Sequence, residues 1–233
     1  MQRNFKLFLT VVLTAALAAL ALTGCGGSKT PGVDTVKRPA VRSDELQFKS
    51  PGSGDTVAVI ETTAGTIRVI LYPDKAPQAV ENFVTLAKQG FYNDTTFSRL
   101  EHGFCVQAGL DAEGMTTTIW NGAGFAPEIT DQLHHYSGAL AAPVDASGLC
   151  SGVFYFMQTL PDSVTEEMLS QMQQAGYSQA VMDAYAAAGG APYLDYTDTV
   201  FGQVYEGMDV VDTIAQSGDF EEPVRILKVS VSG

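Results

Sequence analysis

The residues with the clearest chemical potential lie in one short stretch, Phe97-Ser98-Arg99-Leu100-Glu101-His102-Gly103-Phe104-Cys105-Val106-Gln107-Ala108-Gly109. Beyond its first glycine, apolar residues alternate with others, a pattern typical of a strand with two unlike faces. One face can join a core, and the other can present Arg99 and Gln107. Neither side chain acts as a nucleophile or exchanges protons near neutral pH, so the pair offers directed hydrogen bonding. On this pattern alone, an edge strand with a solvated arginine is an equally good interpretation.

The segments before this stretch predict a β-hairpin followed by a helix. Residues 57–62 and 66–71 are rich in β-branched side chains and are joined by a turn at Ala64-Gly65. Pro77 suits the first turn of a helix, and apolar residues recur at helical spacing until Gly90 ends it. These elements would support the stretch at 97–109.

The segments after it predict more strands and a few helices. Strands are expected at residues 137–142, 153–157, 199–204 and 224–231, and a short helix at 208–214. Between about 158 and 191 the pattern becomes helical, which indicates a helical insertion. Many short strands with few helices favour a mainly β fold, a closed antiparallel barrel capped by two helices.

The N-terminal residues predict export and a lipid anchor. Arg3 and Lys6 precede an uncharged apolar run at 7–22, as in an export signal. The motif Leu22-Thr23-Gly24-Cys25 is similar to the lipobox of bacterial lipoproteins, whose cysteine is lipidated after cleavage. The alternative is a retained membrane helix, for which the run is barely long enough. We expect a protein anchored through Cys25 on the extracytoplasmic face of the cell membrane.

The expected organisation has three parts: a signal peptide at 1–24, a lipidated flexible tether at 25–54 and a folded domain at 55–233. Glycine and proline recur at short intervals in the tether, with little apolar periodicity between them. The 233 residues, 45% of them hydrophobic, can bury one sizeable core or at most two small ones.

The charge of the chain excludes some partners. Without residues 1–24 it carries 11 basic and 26 acidic residues, a formal net charge of −15. Such a surface argues against nucleic acid and against electrostatic adhesion to anionic lipids. Contact with the membrane would therefore depend on the lipid.

Cys105 and Cys150 are the cysteines of the expected domain. Outside the cytoplasm such a pair can oxidise, but apolar surroundings equally suit buried free thiols. We expect free thiols.

Several motifs of the expected domain occur in one collinear order that is specific as a set. They are Ala76-Pro77, Val80-Glu81-Asn82-Phe83, Gly90-Phe91-Tyr92, Thr95-Thr96-Phe97, Arg99, Gly103-Phe104, Val106-Gln107, Gly109, TVFGQV at 199–204 and EGMDVV at 206–211. Over roughly residues 55–233 the chain resembles the cyclophilin family of peptidyl-prolyl cis-trans isomerases. This resemblance implies an eight-stranded antiparallel barrel closed by two helices.

The resemblance also implies roles for individual residues. Arg99 matches the catalytic arginine, Phe104 the aromatic floor of the proline pocket, and Gln107 the glutamine that orients the arginine and the substrate. The positions that would bind the substrate are Tyr155, Leu194, Pro143 and Val144.

The chain departs from the family pattern around this inner set. The departures are Ser98 for histidine, Cys105 for methionine, Leu110 for aspartate, Tyr155 for phenylalanine, Val153 for glutamine, Tyr193 for tryptophan or another bulky residue, and Asp198 for histidine. Of these, Cys105, Val153, Tyr193 and Asp198 would line a rewritten outer pocket. Activity is therefore expected, and sequence preference is left open.

The expected reaction needs neither a cofactor nor a metal. Rotation about the amide C–N bond breaks no covalent bond, and its barrier of about 18–20 kcal/mol comes from resonance. His102, His134 and His135 are therefore interpreted as loop histidines, although a His-His pair can bind metal when a third ligand is near.

The leading hypothesis is an isomerase that assists the folding of exported, proline-containing polypeptides, acting as a monomer. Two alternatives stay open. One is a cyclophilin scaffold that holds a partner through its groove or through the helical insertion, and the other is a ligand-binding barrel lipoprotein with an open interior.

Overall fold

A nine-stranded antiparallel sheet dominates the computed structural model, which describes residues 32–233. Its strands are β1 Thr56–Thr62, β2 Gly65–Leu71, β3 Thr95–Thr96, β4 Arg99–Glu101, β5 Cys105–Ala108, β6 Ala139–Ala142, β7 Phe154–Met157, β8 Thr199–Glu206 and β9 Arg225–Ser232. They lie in the order β3-β9-β1-β2-β8-β6-β7-β5-β4. The predicted hairpin is present as β1 and β2, paired from Thr56 opposite Leu71 to Thr62 opposite Gly65.

The alternating residues of these strands fill a main core on one face of the sheet. Ile60, Ile67 and Phe156 are fully buried in it. Helices α1 Pro77–Lys88 and α4 Met208–Ala215 pack against the same core, as predicted, with Phe83 and Ile214 among their buried residues. This packing supports the sheet from its inner side.

The closed eight-stranded barrel implied by the resemblance is not confirmed. The structure adds the two-residue strand β3, which pairs with β9, and the sheet order ends at β3 and β4. Only Phe97 and Ser98 separate these end strands in the chain. The two ends of the sheet therefore lie next to each other, and the sheet is curled.

The helical insertion contains helices α2 Glu166–Gln174 and α3 Gln179–Ala188. Thr165 and Ser178 cap them, each side chain accepting a hydrogen bond from a backbone N–H at 3.2 Å. The inward faces of the helices form a separate small core with Tyr136. The domain therefore has a second, smaller core beside the sheet.

Residues 32–54, part of the predicted tether, lie on the folded domain and contain one 3-10 helix, Leu46–Phe48. Arg38 forms an ion pair with Asp212 of α4, and Gln47 is buried. The sequence did not indicate these contacts. No helix within residues 32–233 is long and apolar enough to cross a bilayer. The predicted signal peptide and Cys25 lie outside the described residues.

Candidate active site

Three neighbouring strands place Arg99, Gln107 and Tyr155 in one row. Arg99 of β4 lies opposite Gln107 of β5, which lies opposite Tyr155 of β7. Opposed residues of antiparallel strands point to the same face of the sheet. Since the intervening residues Val106 and Phe156 point into the main core, the row lies on the outer face.

Arg99 is held by two neighbours on this face. Its Nε donates to Oε1 of Glu101 at 2.9 Å, and its Nη2 forms an ion pair with the same oxygen at 2.9 Å. Its Cζ lies 5.3 Å from the centroid of the Phe104 ring. The hydrogen bond that it donates to Glu101 raises the pKa of the arginine. Its Nη1 makes no hydrogen bond with the residues described here. The guanidinium is therefore positioned, not freely solvated, and it retains an open donor.

An apolar cluster borders the row, and we call it the outer cluster. Its buried members are Ile70, Tyr72, Cys105, Leu133, Ala139, Ala141, Tyr155, Met157, Ala191 and Val200, with Leu46, Phe104 and Leu194 packed against them. Four predicted site residues thus meet here: Phe104, Cys105, Tyr155 and Leu194. The arrangement can hold an apolar ring beside the open donor of Arg99.

The thiols near the site are inert. Burial raises the pKa of Cys105 to about 11, and likewise that of Cys150. Both cysteines are free, as the sequence predicted. They therefore supply no nucleophile at neutral pH.

Asp198 connects Tyr155 to the segment after β6. The Tyr155 hydroxyl donates to Oδ2 of Asp198 at 2.8 Å, and the backbone N–H of Val144 donates to Oδ1 at 3.3 Å. Burial and the neighbouring Asp198 raise the pKa of the Tyr155 hydroxyl, which keeps it a donor. Asp198 therefore links the side chain of Tyr155 to the backbone of Val144.

Three predicted positions stand apart from the outer cluster. Pro143 and Val153 are half-buried outside it, and the Tyr193 side chain is exposed. Tyr193 is still next to the site, because it directly precedes Leu194, which packs against the outer cluster.

Among the described residues no hydrogen bond joins the side chains of Gln107 and Arg99, although the two residues lie opposite each other on paired strands. Glu101 holds the guanidinium instead. The sequence analysis missed this residue, yet the signal was there, because residues two apart on a strand point to the same face.

The sequence analysis also missed a buried polar cluster centred on Asp195, which is 4% exposed. Nδ1 of His134 lies 3.0 Å from one carboxylate oxygen, and Nδ1 of His135 lies 2.8 Å from the other. The hydroxyls of Tyr177 and Tyr185 donate to the same carboxylate. No group of three or more His, Cys, Asp and Glu in residues 32–233 is arranged to hold a metal ion. Each histidine contacts a different oxygen of the Asp195 carboxylate.

Comparison with known proteins gives the family. The sequence model described as "Cyclophilin type peptidyl-prolyl cis-trans isomerase/CLD" matches residues 57–231. A Staphylococcus saprophyticus protein is 37% identical over 187 residues, covering 78% of this chain and 94% of its own length. A Staphylococcus aureus protein is 35% identical over 180 residues, covering 76% and 90%. The names of both include the words peptidyl-prolyl cis-trans isomerase.

The fold is shared with solved structures. A Cryptosporidium parvum cyclophilin type peptidyl-prolyl cis-trans isomerase matches with a TM-score of 0.57 at 18% identity, covering 77% of this chain and 98% of its own. Its structure in the presence of the dipeptide Ala-Pro matches with a TM-score of 0.57 at 19% identity, covering 76% and 99%. The sequence matches and the shared fold show that the chain belongs to the cyclophilin-type peptidyl-prolyl cis-trans isomerase family.

Proposed function

We propose that this protein accelerates rotation about X-Pro bonds in exported polypeptides by binding the twisted amide more tightly than either planar isomer. The observation that carries the proposal is the row of Arg99, Gln107 and Tyr155 beside the outer cluster. X-Pro bonds in unfolded chains are about 10–30% cis and exchange slowly. Newly exported chains would therefore gain from a catalyst at the membrane.

Arg99 is the proposed catalytic donor. As the amide twists, its nitrogen loses conjugation and gains a lone pair that can accept a hydrogen bond. Nη1 of Arg99 is open to make this bond, while Glu101 and Phe104 fix the guanidinium. The planar guanidinium keeps its charge and presents its N–H donors in a fixed arrangement, which suits this task. A lysine would supply the charge without this arrangement of donors.

The proposed binding pocket for the proline ring is formed by Phe104, Tyr155 and Leu194. They pack in one apolar cluster, where water is displaced and a hydrogen bond counts for more. The half-buried Gln107 would bind the substrate backbone, and the segment of Pro143 and Val144 would pair with the bound peptide. A sheet that closes into a barrel would keep these groups at fixed separations.

The proposed location is the extracytoplasmic face of the cell membrane, through a lipid on Cys25. Two acyl chains, at about 0.8 kcal/mol per buried methylene, hold a protein on a bilayer stably. Metabolic labelling with a palmitate analogue, compared between wild type and Cys25→Ser, tests the anchor. Label that persists in the variant would refute it.

The catalytic proposal is tested by protease-coupled isomerisation of a short Ala-Pro peptide with the full-length protein. We expect kcat/KM to fall at least 100-fold in Arg99→Ala, in the range that loss of one oxyanion-type donor gives. Arg99→Lys should recover only a small part of this activity. A wild type no faster than Arg99→Ala would refute the enzymatic role.

A second candidate is a binding module with weak turnover. It is favoured by Glu101, which occupies Nε and Nη2 of the arginine. This candidate predicts that proline peptides bind with unchanged isomer exchange rates, which exchange NMR on the same samples measures directly.

A further inference from the structure

The helical insertion forms an apolar groove beside the candidate active site. The groove lies between α2 and the segment that contains the 3-10 helix Pro192–Leu194. Its main lining residues are Met168, Met172, Ala175, Tyr177, Tyr193 and Tyr196. None of its lining residues is an acidic or basic residue, although the chain has a net charge of −13. The groove therefore selects against charged ligands.

The groove is exposed and has the size of one large side chain. Tyr193 and Tyr196 are 65% and 69% exposed, and they are two of the most exposed large apolar residues in the described chain. The cavity measures about 170 Å³. An apolar cavity of about 150 Å³ is known to hold a benzene ring. The two methionines add adaptability, since their flexible side chains fit differently shaped apolar groups.

Hydrogen bonds hold the groove in shape without a ligand. The Tyr177 hydroxyl donates to the carbonyl of Pro192 at 3.3 Å and to Oδ2 of Asp195 at 3.1 Å. The ring of Tyr177 lies 6.1 Å from that of Tyr196. These contacts tie the turn after α2 to the segment on the other side of the groove. A ligand that binds in the groove therefore does not have to order the residues that line it.

One short 3-10 helix contributes a residue to the groove and a residue to the proposed proline site. Leu194 packs against the outer cluster, while the preceding Tyr193 lines the groove. Neighbouring Cα atoms are about 3.8 Å apart, so an extended peptide needs only a few residues to reach from one site to the other. A single polypeptide can therefore occupy both.

We propose that this groove is an extended subsite that binds a large apolar side chain, aromatic or aliphatic, a few residues from the proline of the same polypeptide. The inference rests on the proposed function and names its substrate class: unfolded segments in which a proline lies near a large apolar residue. Such residues are buried in folded proteins and exposed in unfolded ones. The subsite thus directs the enzyme to chains that have not yet folded.

Fluorescence anisotropy with labelled peptides tests this subsite in the full-length protein. The core probe carries Ala-Pro among glycines and serines, and the test probes place one phenylalanine two to four residues before or after the proline. The measured quantity is the ratio of the Kd for the core probe to that for the best test probe. Burial of a ring should give a ratio of roughly ten in the wild type.

Ala175→Glu places a charge in the groove at an exposed position, and Ala180→Glu is the matched control on α3, outside the groove. We expect a ratio near one for Ala175→Glu and near ten for Ala180→Glu. Tyr196→Ala, also at an exposed position, should lower the ratio without introducing a charge.

Three results would overturn the subsite: a ratio near one in the wild type, a ratio of ten retained in Ala175→Glu, or a wild-type dimer that only Ala175→Glu dissociates in sedimentation. The last result would make the groove an interface between two copies. Binding does not require turnover, so these outcomes are independent of whether the wild type isomerises the core probe. Exchange NMR on that probe separates failure of the proposed function from failure of the subsite.

Discussion

The hydroxyl of Tyr155 donates a hydrogen bond to Oδ2 of Asp198 over 2.8 Å. Both residues depart from the cyclophilin pattern, which usually has phenylalanine and histidine at these positions. The two departures therefore compensate each other, because the added hydroxyl and the added carboxylate form one pair. Since Asp198 also accepts from the backbone of Val144, the pair connects the pocket wall to the proposed peptide-binding segment.

Removal of the hydroxyl in Tyr155→Phe should raise KM and change kcat much less. Asp198, which accepts from the backbone of Val144, loses the hydrogen bond that positions it, while Arg99 keeps its neighbours. The free energy of unfolding should fall by about 1.5 kcal/mol, which is typical of a hydrogen bond to a charged group. Steady-state kinetics and urea unfolding measure the two effects. Tyr205→Phe, at a half-exposed position, is the control.

A double-mutant cycle with Asp198→Asn decides whether the two residues act together. The combined loss should be smaller than the sum of the single losses, since either change breaks the same contact. Strict additivity would show that the hydroxyl acts through some other partner.

Glu101 should position Arg99 and set a charge preference. Glu101→Gln removes the ion pair but keeps the size of the side chain, so kcat/KM on a neutral peptide should fall about two- to fivefold, in line with the modest strength of exposed pairs. The preference for peptides with lysine rather than glutamate beside the proline should also shrink. Competition assays with the two peptides measure this preference.

Glu206→Gln is the matched control, because Glu206 pairs with Arg68 at 3.3 Å on another part of the sheet. It should leave both quantities unchanged. An increase of kcat/KM in Glu101→Gln would mean that the carboxylate inhibits the arginine, and the positioning role would be wrong.

Local pattern predicted the parts of the site that depend on neighbours in sequence. Alternation after Gly103 placed Arg99 and Gln107 on one face, and helical spacing after Pro77 gave α1. Even Glu101, which was missed, follows from the period of a strand. The collinear motifs supplied the fold, which periodicity alone left undecided.

The missed features depend on contacts between distant parts of the chain. His135 reaches Asp195 across 60 residues, and Arg38 reaches Asp212 across 174. The glycine and proline residues near Arg38 predicted a flexible tether. Nothing in the local sequence indicates that a basic residue in such a segment has a buried acidic partner. The sheet has nine strands where eight were expected, for a related reason. Strand β3 has only two residues and forms by pairing with the distant strand β9.

Arg38→Ala should destabilise the domain by about 3 kcal/mol, because it leaves the carboxylate of Asp212 buried without its cation. Asp212 also binds Gln158, whose carbonyl oxygen accepts from the backbone of Gly103 in the turn before Phe104, at 2.7 Å for each bond. The proposed site should therefore loosen as well, with a lower kcat/KM. Thermal unfolding and the isomerisation assay measure both changes.

Arg42→Ala is the control for Arg38, because Arg42 lies in the same segment with an exposed side chain. A chain that begins at residue 55 should be destabilised as much as Arg38→Ala or more. Equal melting temperatures for the wild type and this shortened chain would show that the N-terminal segment does not support the domain.

Asp195 should make the protein sensitive to acid. Burial acts to raise the pKa of this carboxyl, but the hydrogen bonds from His134 and His135 outweigh it and hold the pKa well below its usual range. A depressed pKa in the folded state contributes stability that is complete above about pH 4 and is lost as the pH falls further. Urea unfolding of the wild type should therefore show a steep loss of stability below about pH 4.

Asp195→Asn should lower the free energy of unfolding at pH 7 by about 3–5 kcal/mol, since buried donors lose a charged acceptor. Its stability should then depend less on pH below about pH 4, because the titrating group is gone. Asp183→Asn on the exposed face of α3 should follow the wild-type curve. If Asp195→Asn and the wild type lost stability in parallel below about pH 4, the acid sensitivity would have to come from other carboxylates.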